Sequence, residues 1–334
     1  MKDYFGVLSG KKLANFLVLK SIPVEFSREE ELSKLWKLHD KKMGLFEKRK
    51  YEKSLGSVER NLLDLKFEIS KKLLESCVFC ERKCRANRYK QRGFCEITNK
   101  SRLSCQFLHY GEETILVPSH TFFFIGCNFY CVYCQNYTIS RQIEKGFVVS
   151  GKELANMVRP EARNVNLVGG EPTPNLHTCI DMLRHMNINK PIIWNSNMFM
   201  STEAMKLLNG CIDVFLADFK YGNNECAERL SKVSSYMQIV TRNLRIAEEC
   251  GDLLIRHLVL PNHLECCTDK IFQWLSKNLK KFTLNVMFQY RPEFEAFEYE
   301  DIARFLNEEE ITKSLELIKK YKLEGRLVEN FKIF

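Results

Sequence analysis

The sequence predicts an α/β fold, a parallel sheet closing into an open, partial barrel of six βα units behind a helical and cysteine-rich N-terminal extension. Two observations predict it. From residue 120 onward, short apolar segments alternate with helical patterns, the rhythm of βαβ units. Upstream of residue 110, that rhythm is absent, and positive charge and clustered cysteines replace it.

The expected strands are 121–125, 165–168, 192–195, 214–217, 254–259 and 284–288, each a short, mostly apolar segment. Helical patterns lie between them, near 151–158, 176–187, 201–209, 225–249 and 268–280. The rhythm does not fix strand order, so a doubly wound sheet is the alternative closure. In a barrel of parallel strands, chemistry belongs at the C-terminal strand ends. Residues 1–76 read as a basic helical region. Within it, Ser27 and Glu30 form a capping-box pattern that opens a helix over 27–43, and 58–75 reads as a second helix. The expected boundaries are 1–76, a cysteine-rich metal-binding segment at 77–110, a core at 111–300 and a helical C-terminal extension at 301–334.

Composition narrows the class. The chain has 334 residues, 45% hydrophobic and 28% charged, with a formal charge of +9. Residues 1–100 hold 24 Lys/Arg against 14 Asp/Glu, whereas residues 101–334 hold 27 against 28. A basic third would suit an acidic partner or RNA. The acids interleaved with the bases favour a solvated helical surface instead, which argues against nucleic acid. No apolar run approaches the roughly 18 residues of a membrane span, and Met1 to Lys12 lacks the apolar stretch of a secretion signal, so a cytoplasmic protein is expected. Fourteen cysteines in such a protein point to metal rather than disulfides. Eight lie between Cys77 and Cys134. The other six, Cys179, Cys211, Cys226, Cys250, Cys266 and Cys267, show no ligand spacing and read as small buried hydrophobes.

Chemistry concentrates in Cys127-x3-Cys131-x2-Cys134, which directly follows the first core strand. Close spacing lets one loop wrap an iron–sulfur cluster. The run stops at three thiolates, which leaves one iron of a [4Fe-4S] cube open to chelate a small molecule. This arrangement is the signature of the radical S-adenosylmethionine (SAM) superfamily, whose cofactor supplies a 5′-deoxyadenosyl radical for hydrogen abstraction. A zinc knuckle that borrows a distant cysteine is the bland alternative.

The chain more narrowly resembles the group related to pyruvate formate-lyase activating enzymes. The resemblance rests on Cys77-x2-Cys80-x-Arg82-x-Cys84-x2-Asn87-Arg88, His109-x-Gly111-Glu112-Glu113, the residues from Cys134 to Ser140, Asp218-x-Lys220-Tyr221, Arg256 to Pro261, and Gln289-Tyr290-x-Pro292. It implies a partial (βα)6 radical SAM barrel, SAM, one [4Fe-4S] cluster, an oxidoreductase activity that installs a glycyl radical in a partner protein, and an electron donor such as flavodoxin or ferredoxin. Radical modification of RNA or a small molecule is a second enzymatic reading. An iron–sulfur electron carrier or metal-dependent binding module is the non-enzymatic one.

Candidate cofactor residues end later strands. Gly169, Gly170 and Glu171 follow the second, where glycine permits close backbone approach and, by the resemblance, contact with the SAM amino group. Asn195 and Asn197 follow the third, either as SAM ligands or as turn residues. Asp218 and Lys220 follow the fourth and, two apart, share a face. Of the neighbours Arg256 and His257, only one can face the barrel interior. Arg256 is the expected one, since its guanidinium suits a carboxylate. A second cysteine set, Cys77-x2-Cys80-x3-Cys84-x10-Cys95, suits either structural zinc or an auxiliary iron–sulfur cluster.

Overall fold

The computed structural model describes residues 1–328. Four helices open the chain: α1 (Lys2–Leu8), α2 (Asn15–Lys20), α3 (Leu32–Arg49) and α4 (Leu62–Leu73). Strand β1 (Arg102–His109) then precedes the repeating units: β2 (Ser119–Phe124), α5 (Tyr137–Ser140), β3 (Phe147–Val148), α6 (Gly151–Met157), β4 (Asn164–Gly169), α7 (Leu176–His185), β5 (Ile192–Ser196), α8 (Thr202–Leu208), β6 (Val214–Asp218), α9 (Asn224–Ser231), α10 (Tyr236–Cys250), β7 (Asp252–Leu258), α11 (Asp269–Asn278) and β8 (Thr283–Met287), with α12 (Glu308–Lys320) last.

All strands form one sheet of order β3-β1-β2-β4-β5-β6-β7-β8. The six from β2 to β8 that skip β3 are parallel and adjacent in chain order. A doubly wound sheet would reverse order at a switch point, so this order excludes it. The strands are buried on both faces, as parallel strands covered by helices are. All six contribute side chains to a single cavity, so the sheet curls around it. The curl stays open, because β3 and β8 end the order unpaired to each other.

The N-terminal helices are integral to this body. Tyr4 of α1 packs against Ile193, Val214, Leu216 and Leu254 inside the N-terminal end of the barrel. Its amide donates to Asp252 at 2.8 Å and its hydroxyl accepts from Asn164 at 2.9 Å, so α1 plugs that end. Helices α2 and α3 pack on α4, and α4 packs on α7. No helix among the described residues is long and apolar enough to cross a membrane.

Three expectations need correction. Ser27 and Glu30 do bond, the Ser27 amide to Glu30 Oε1 at 2.9 Å, but they close a turn; α3 starts five residues later, with Glu31 as an N-cap whose side chain makes no capping bond. The real capping box is Asn61 with Asp64, at the start of α4. The helical pattern at 225–249 is two helices, because Lys232 and Ser235 adopt positive φ between α9 and α10. Strand β1, inside the segment at 77–110 read as cysteine-rich and metal-binding, runs antiparallel to β2 and β3 at the sheet edge. The C-terminal extension contains α12, and its residues 329–334 lie outside the described ones.

Candidate functional site

A cavity of about 460 Å³ opens at the C-terminal ends of the parallel strands. Cys127, Cys131, Cys134, Gly169, Gly170, Glu171, Asn195, Asn197, Asp218, Lys220 and Arg256 all line it. Residues up to 129 positions apart in sequence therefore share one wall because each ends a strand or follows one.

The cysteine loop leaves β2 and is braced from two sides. The amides of Tyr130 and Val132 each donate at 3.0 Å to Ser231 and Leu230 carbonyls at the end of α9. Arg82 donates to the Asn128 carbonyl at 2.9 Å, and Arg141 to that of Cys127 at 3.1 Å while stacking on Tyr130. Each sulfur then meets a polar partner: the Phe129 amide at 3.3 Å from Cys127, the Ser231 hydroxyl at 2.9 Å from Cys131, and the Ser140 hydroxyl at 3.1 Å from Cys134. Burial pushes the Cys127 thiol well above its usual range and that of Cys131 up to about 11, the latter eased by the Lys220 ammonium. Buried sulfurs that are costly to ionise alone, yet surrounded by donors, suit thiolates whose charge a metal neutralises. This donor set fits a cluster with three protein ligands.

Gly169 and Gly170 pass directly over the start of that loop. The Gly170 amide donates to Phe124 O and that of Glu171 to Gly126 O, each at 2.9 Å. Gly169 has φ +138°, and a Cβ there would lie 2.0 Å from the Phe124 carbonyl oxygen. Only glycine fits. Glu171 is 2% exposed and its carboxylate is already saturated: Ser196 and Thr173 hydroxyls at 2.6 and 2.5 Å, the Thr173 amide at 3.2 Å and the Asn197 amide at 2.9 Å. It thus shapes the β4 and β5 loops rather than offering a free acceptor. Asn197 in turn donates to Asn128 at 2.7 Å, which ties the β5 loop to the cysteine loop.

Asp218 and Lys220 share a face and pair at 2.8 Å. Burial alone would depress the Lys220 ammonium, but Asp218 and the neighbouring Cys131 outweigh it and its pKa is raised. Arg256 faces the interior, while His257 points into the helical layer, bonded to Phe219 O at 2.9 Å and Thr268 at 3.0 Å. The Arg256 guanidinium, however, is held by carboxylates: Glu113 at 2.7 Å through both Nε and Nη2, and Glu112. Glu113 also accepts from Asn285 at 2.9 Å, and Glu112 from Asn166 at 2.9 Å. Burial would raise the Glu112 carboxyl, yet Arg256 and His109 hold it down at about 2. Arg256 is therefore the keystone of a buried charge network on the cavity floor, a role its position on the strand did not disclose.

The second cysteine set lies beside this site. Cys80 bridges to Met200, and the Glu81 amide donates to Phe199 O at 3.2 Å, so the segment docks on the loop after β5. A hydrogen bond between Cys77 and Cys84 raises the Cys77 thiol and lowers that of Cys84 to about 5, and the sulfurs of Cys84 and Cys95 both border Gly93. Cys105 is apart from them, exposed on β1. Sequence reasoning missed Ser140 and Ser231, the hydroxyls on Cys134 and Cys131. Ser140 stood inside a quoted motif; Ser231 lies 100 residues from Cys131 and had no local signal.

A family model described as "Radical SAM superfamily" matches residues 121–275, from β2 into α11. "Uncharacterized protein MJ0674" of Methanocaldococcus jannaschii is 48% identical over 332 residues, covering 96% of this chain and 97% of that protein. Among solved structures, methylornithine synthase (PylB) aligns over 96% of this chain and 77% of its own, with TM-score 0.42 and 15% identity. Streptococcus suis SuiB bound to precursor peptide SuiA aligns over 60% of this chain, with TM-score 0.42 and 14% identity; this chain spans 46% of SuiB.

Proposed function

Because the chain belongs to the radical SAM superfamily, we propose that Cys127, Cys131 and Cys134 hold its [4Fe-4S] cluster and that the adjoining cavity receives SAM. When bound, the pair supplies a 5′-deoxyadenosyl radical for hydrogen abstraction. The observation that carries this reading is the convergence of three cysteine sulfurs, each facing a hydrogen-bond partner, on one cavity at the strand ends.

The chain's own residues bind, orient and exclude water. The Phe129 amide and the Ser140 and Ser231 hydroxyls offset charge on the three sulfurs. Backbone carbonyls near Gly169 and Gly170 are in reach of an ammonium group, with Glu171 holding that turn in shape. The Asp218–Lys220 pair presents both signs of charge at the wall, suited to a zwitterionic amino acid and a ribose. Phe123, Phe129, Leu258 and Met287 supply apolar lining that keeps water from a reactive species.

Anaerobic reconstitution with iron and sulfide, then SAM and dithionite, tests the reading. It expects 5′-deoxyadenosine well above a Cys131→Ser control, and product no greater than the control overturns it. The sequence resemblance supports a finer proposal: the hydrogen comes from a backbone glycine of a partner protein, with flavodoxin or ferredoxin as reductant. A glycyl radical doublet in the electron paramagnetic resonance spectrum of that partner is the expected sign. Deuterium uptake into RNA or a metabolite without it overturns the finer proposal alone. Cys77, Cys80, Cys84 and Cys95 are proposed to hold a second metal; about eight irons per chain would indicate a second cluster, and about four would leave zinc there.

A further inference from the structure

Cys226, Cys266 and Cys267 carry no ligand spacing when counted among themselves, yet the fold gathers them. Cys226 lies in the first turn of α9, after β6; His263-x2-Cys266-Cys267 follows β7. Among the described residues, Cys226, His263 and Cys266 form the group whose ligand atoms all lie within 4.8 Å of one another. The Cys226 and Cys266 sulfurs are 3.8 Å apart, and those of Cys266 and Cys267 are 3.9 Å apart. Two thiolates at ~2.3 Å from one tetrahedral zinc ion stand about 3.8 Å from each other.

The surroundings are built for this geometry. A Cβ on Gly222 would lie 2.6 Å from the Cys267 carbonyl oxygen, so only glycine lets the β6–α9 loop rest on the backbone at 266–267. Asn223 then locks the two segments, accepting from the Cys226 amide at 2.7 Å and donating to Cys266 O at 2.8 Å and to the Cys226 sulfur at 3.2 Å. His263 donates from Nδ1 to Pro261 O at 2.7 Å, which leaves the lone pair on Nε2. Fixing one imidazole nitrogen through a carbonyl is how metal-ligating histidines are oriented. The Nε2 lone pair accepts from the Arg229 guanidinium at 3.1 Å, and Arg229 is itself paired with Asp301, so a metal ion at Nε2 would displace this hydrogen bond and leave the guanidinium beside the anionic thiolates.

We propose that Cys226, His263 and Cys266 bind one zinc ion, with Cys267, its sulfur 3.9 Å from that of Cys266, as the neighbouring thiol, and that this ion anchors the helix bracing the cysteine loop of the candidate active site. Helix α9 begins at the metal end. About 10 Å along, its Leu230 and Ser231 carbonyls receive the Val132 and Tyr130 amides, and the Ser231 hydroxyl meets Cys131. The bracing role rests on the cluster reading; the zinc site does not.

Metal analysis of anaerobically purified full-length protein tests the site. Zinc that persists in a Cys80→Ser/Cys84→Ser variant but falls at least tenfold when Cys226→Ser/Cys266→Ser is added to that variant, with unchanged circular dichroism, is the expected result. Zinc-edge X-ray absorption of the wild type, which needs no variant to fold, should show at least two sulfurs at ~2.3 Å and one imidazole nitrogen at ~2.0 Å. A wild type without zinc, zinc retained in the variant lacking Cys80, Cys84, Cys226 and Cys266, or a Cys226–Cys266 disulfide found by peptide mapping overturns the site. In the bracing test, that variant should lose cluster iron to a chelator several-fold faster than its Cys80→Ser/Cys84→Ser parent. An unchanged rate with zinc absent overturns the bracing role and leaves the zinc site standing.

Discussion

Replacing Arg256 with methionine keeps an unbranched apolar stem and removes the charge, leaving Glu112 and Glu113 buried together on the cavity floor. Their side chains are 5% and 0% exposed, so solvent cannot screen them. Glu112 is held at about 2 against an ordinary 4.5. That difference corresponds to about 3 kcal/mol of native-state stabilisation at neutral pH. Breaking a buried pair by deleting one partner costs about 3–5 kcal/mol, so both estimates agree in size. The sign with pH follows. Glu112 is a depressed carboxyl, so its stabilisation is complete above its unfolded value of 4.5 and is lost as pH falls toward about 2. Without Arg256, burial raises the same carboxyl, and the variant becomes less unstable as the solution is acidified. Urea unfolding followed by circular dichroism should show a deficit of about 3 kcal/mol at pH 7.5 that narrows at pH 5.5. A variant within about 0.5 kcal/mol of wild type that nonetheless loses SAM affinity would refute the reasoning and return Arg256 to the role of a direct ligand contact.

Gly169→Ala should lose more than about 3 kcal/mol or fail to fold, because its Cβ would lie 2.0 Å from Phe124 O at φ +138°; a wild-type melting temperature would contradict this. Lys220→Met should weaken SAM binding to the cluster-loaded protein at least tenfold by calorimetry, since a charged hydrogen-bonding group contributes about 1.5–3 kcal/mol, while its circular dichroism stays unchanged. Unaltered affinity would remove Lys220 from the site.

The six parallel strands were legible within about two residues at their ends because strands buried on both faces are mostly apolar, interrupted only at positions such as Asn166, Arg256 and Asn285. Strand β1 was missed although Arg102, Ser104 and Gln106 alternate with Leu103, Cys105 and Phe107, the period-2 pattern of a half-exposed edge strand, because Cys105 and the cysteines upstream drew the segment into the metal-binding reading. The break between α9 and α10 was equally silent: Lys232 and Ser235 adopt positive φ without a glycine or proline to mark it.

Local spacing determined what could be read without coordinates. Cys127, Cys131 and Cys134 lie within eight residues, so one loop can present three ligands whatever the rest of the chain does. Residues that end strands, such as Gly169 and Asp218, were legible because a parallel barrel brings all such ends to one mouth. Only the tertiary structure decided which of those side chains remain available there. It committed Arg256 to Glu112 and Glu113 and Glu171 to its own turn, through contacts spanning as many as 144 residues. It likewise joined Cys226 to His263 and Cys266 across two neighbouring βα units. Sequence spacing reports on chemistry held by one segment; chemistry shared between segments depends on strand order and on what else is buried beside it.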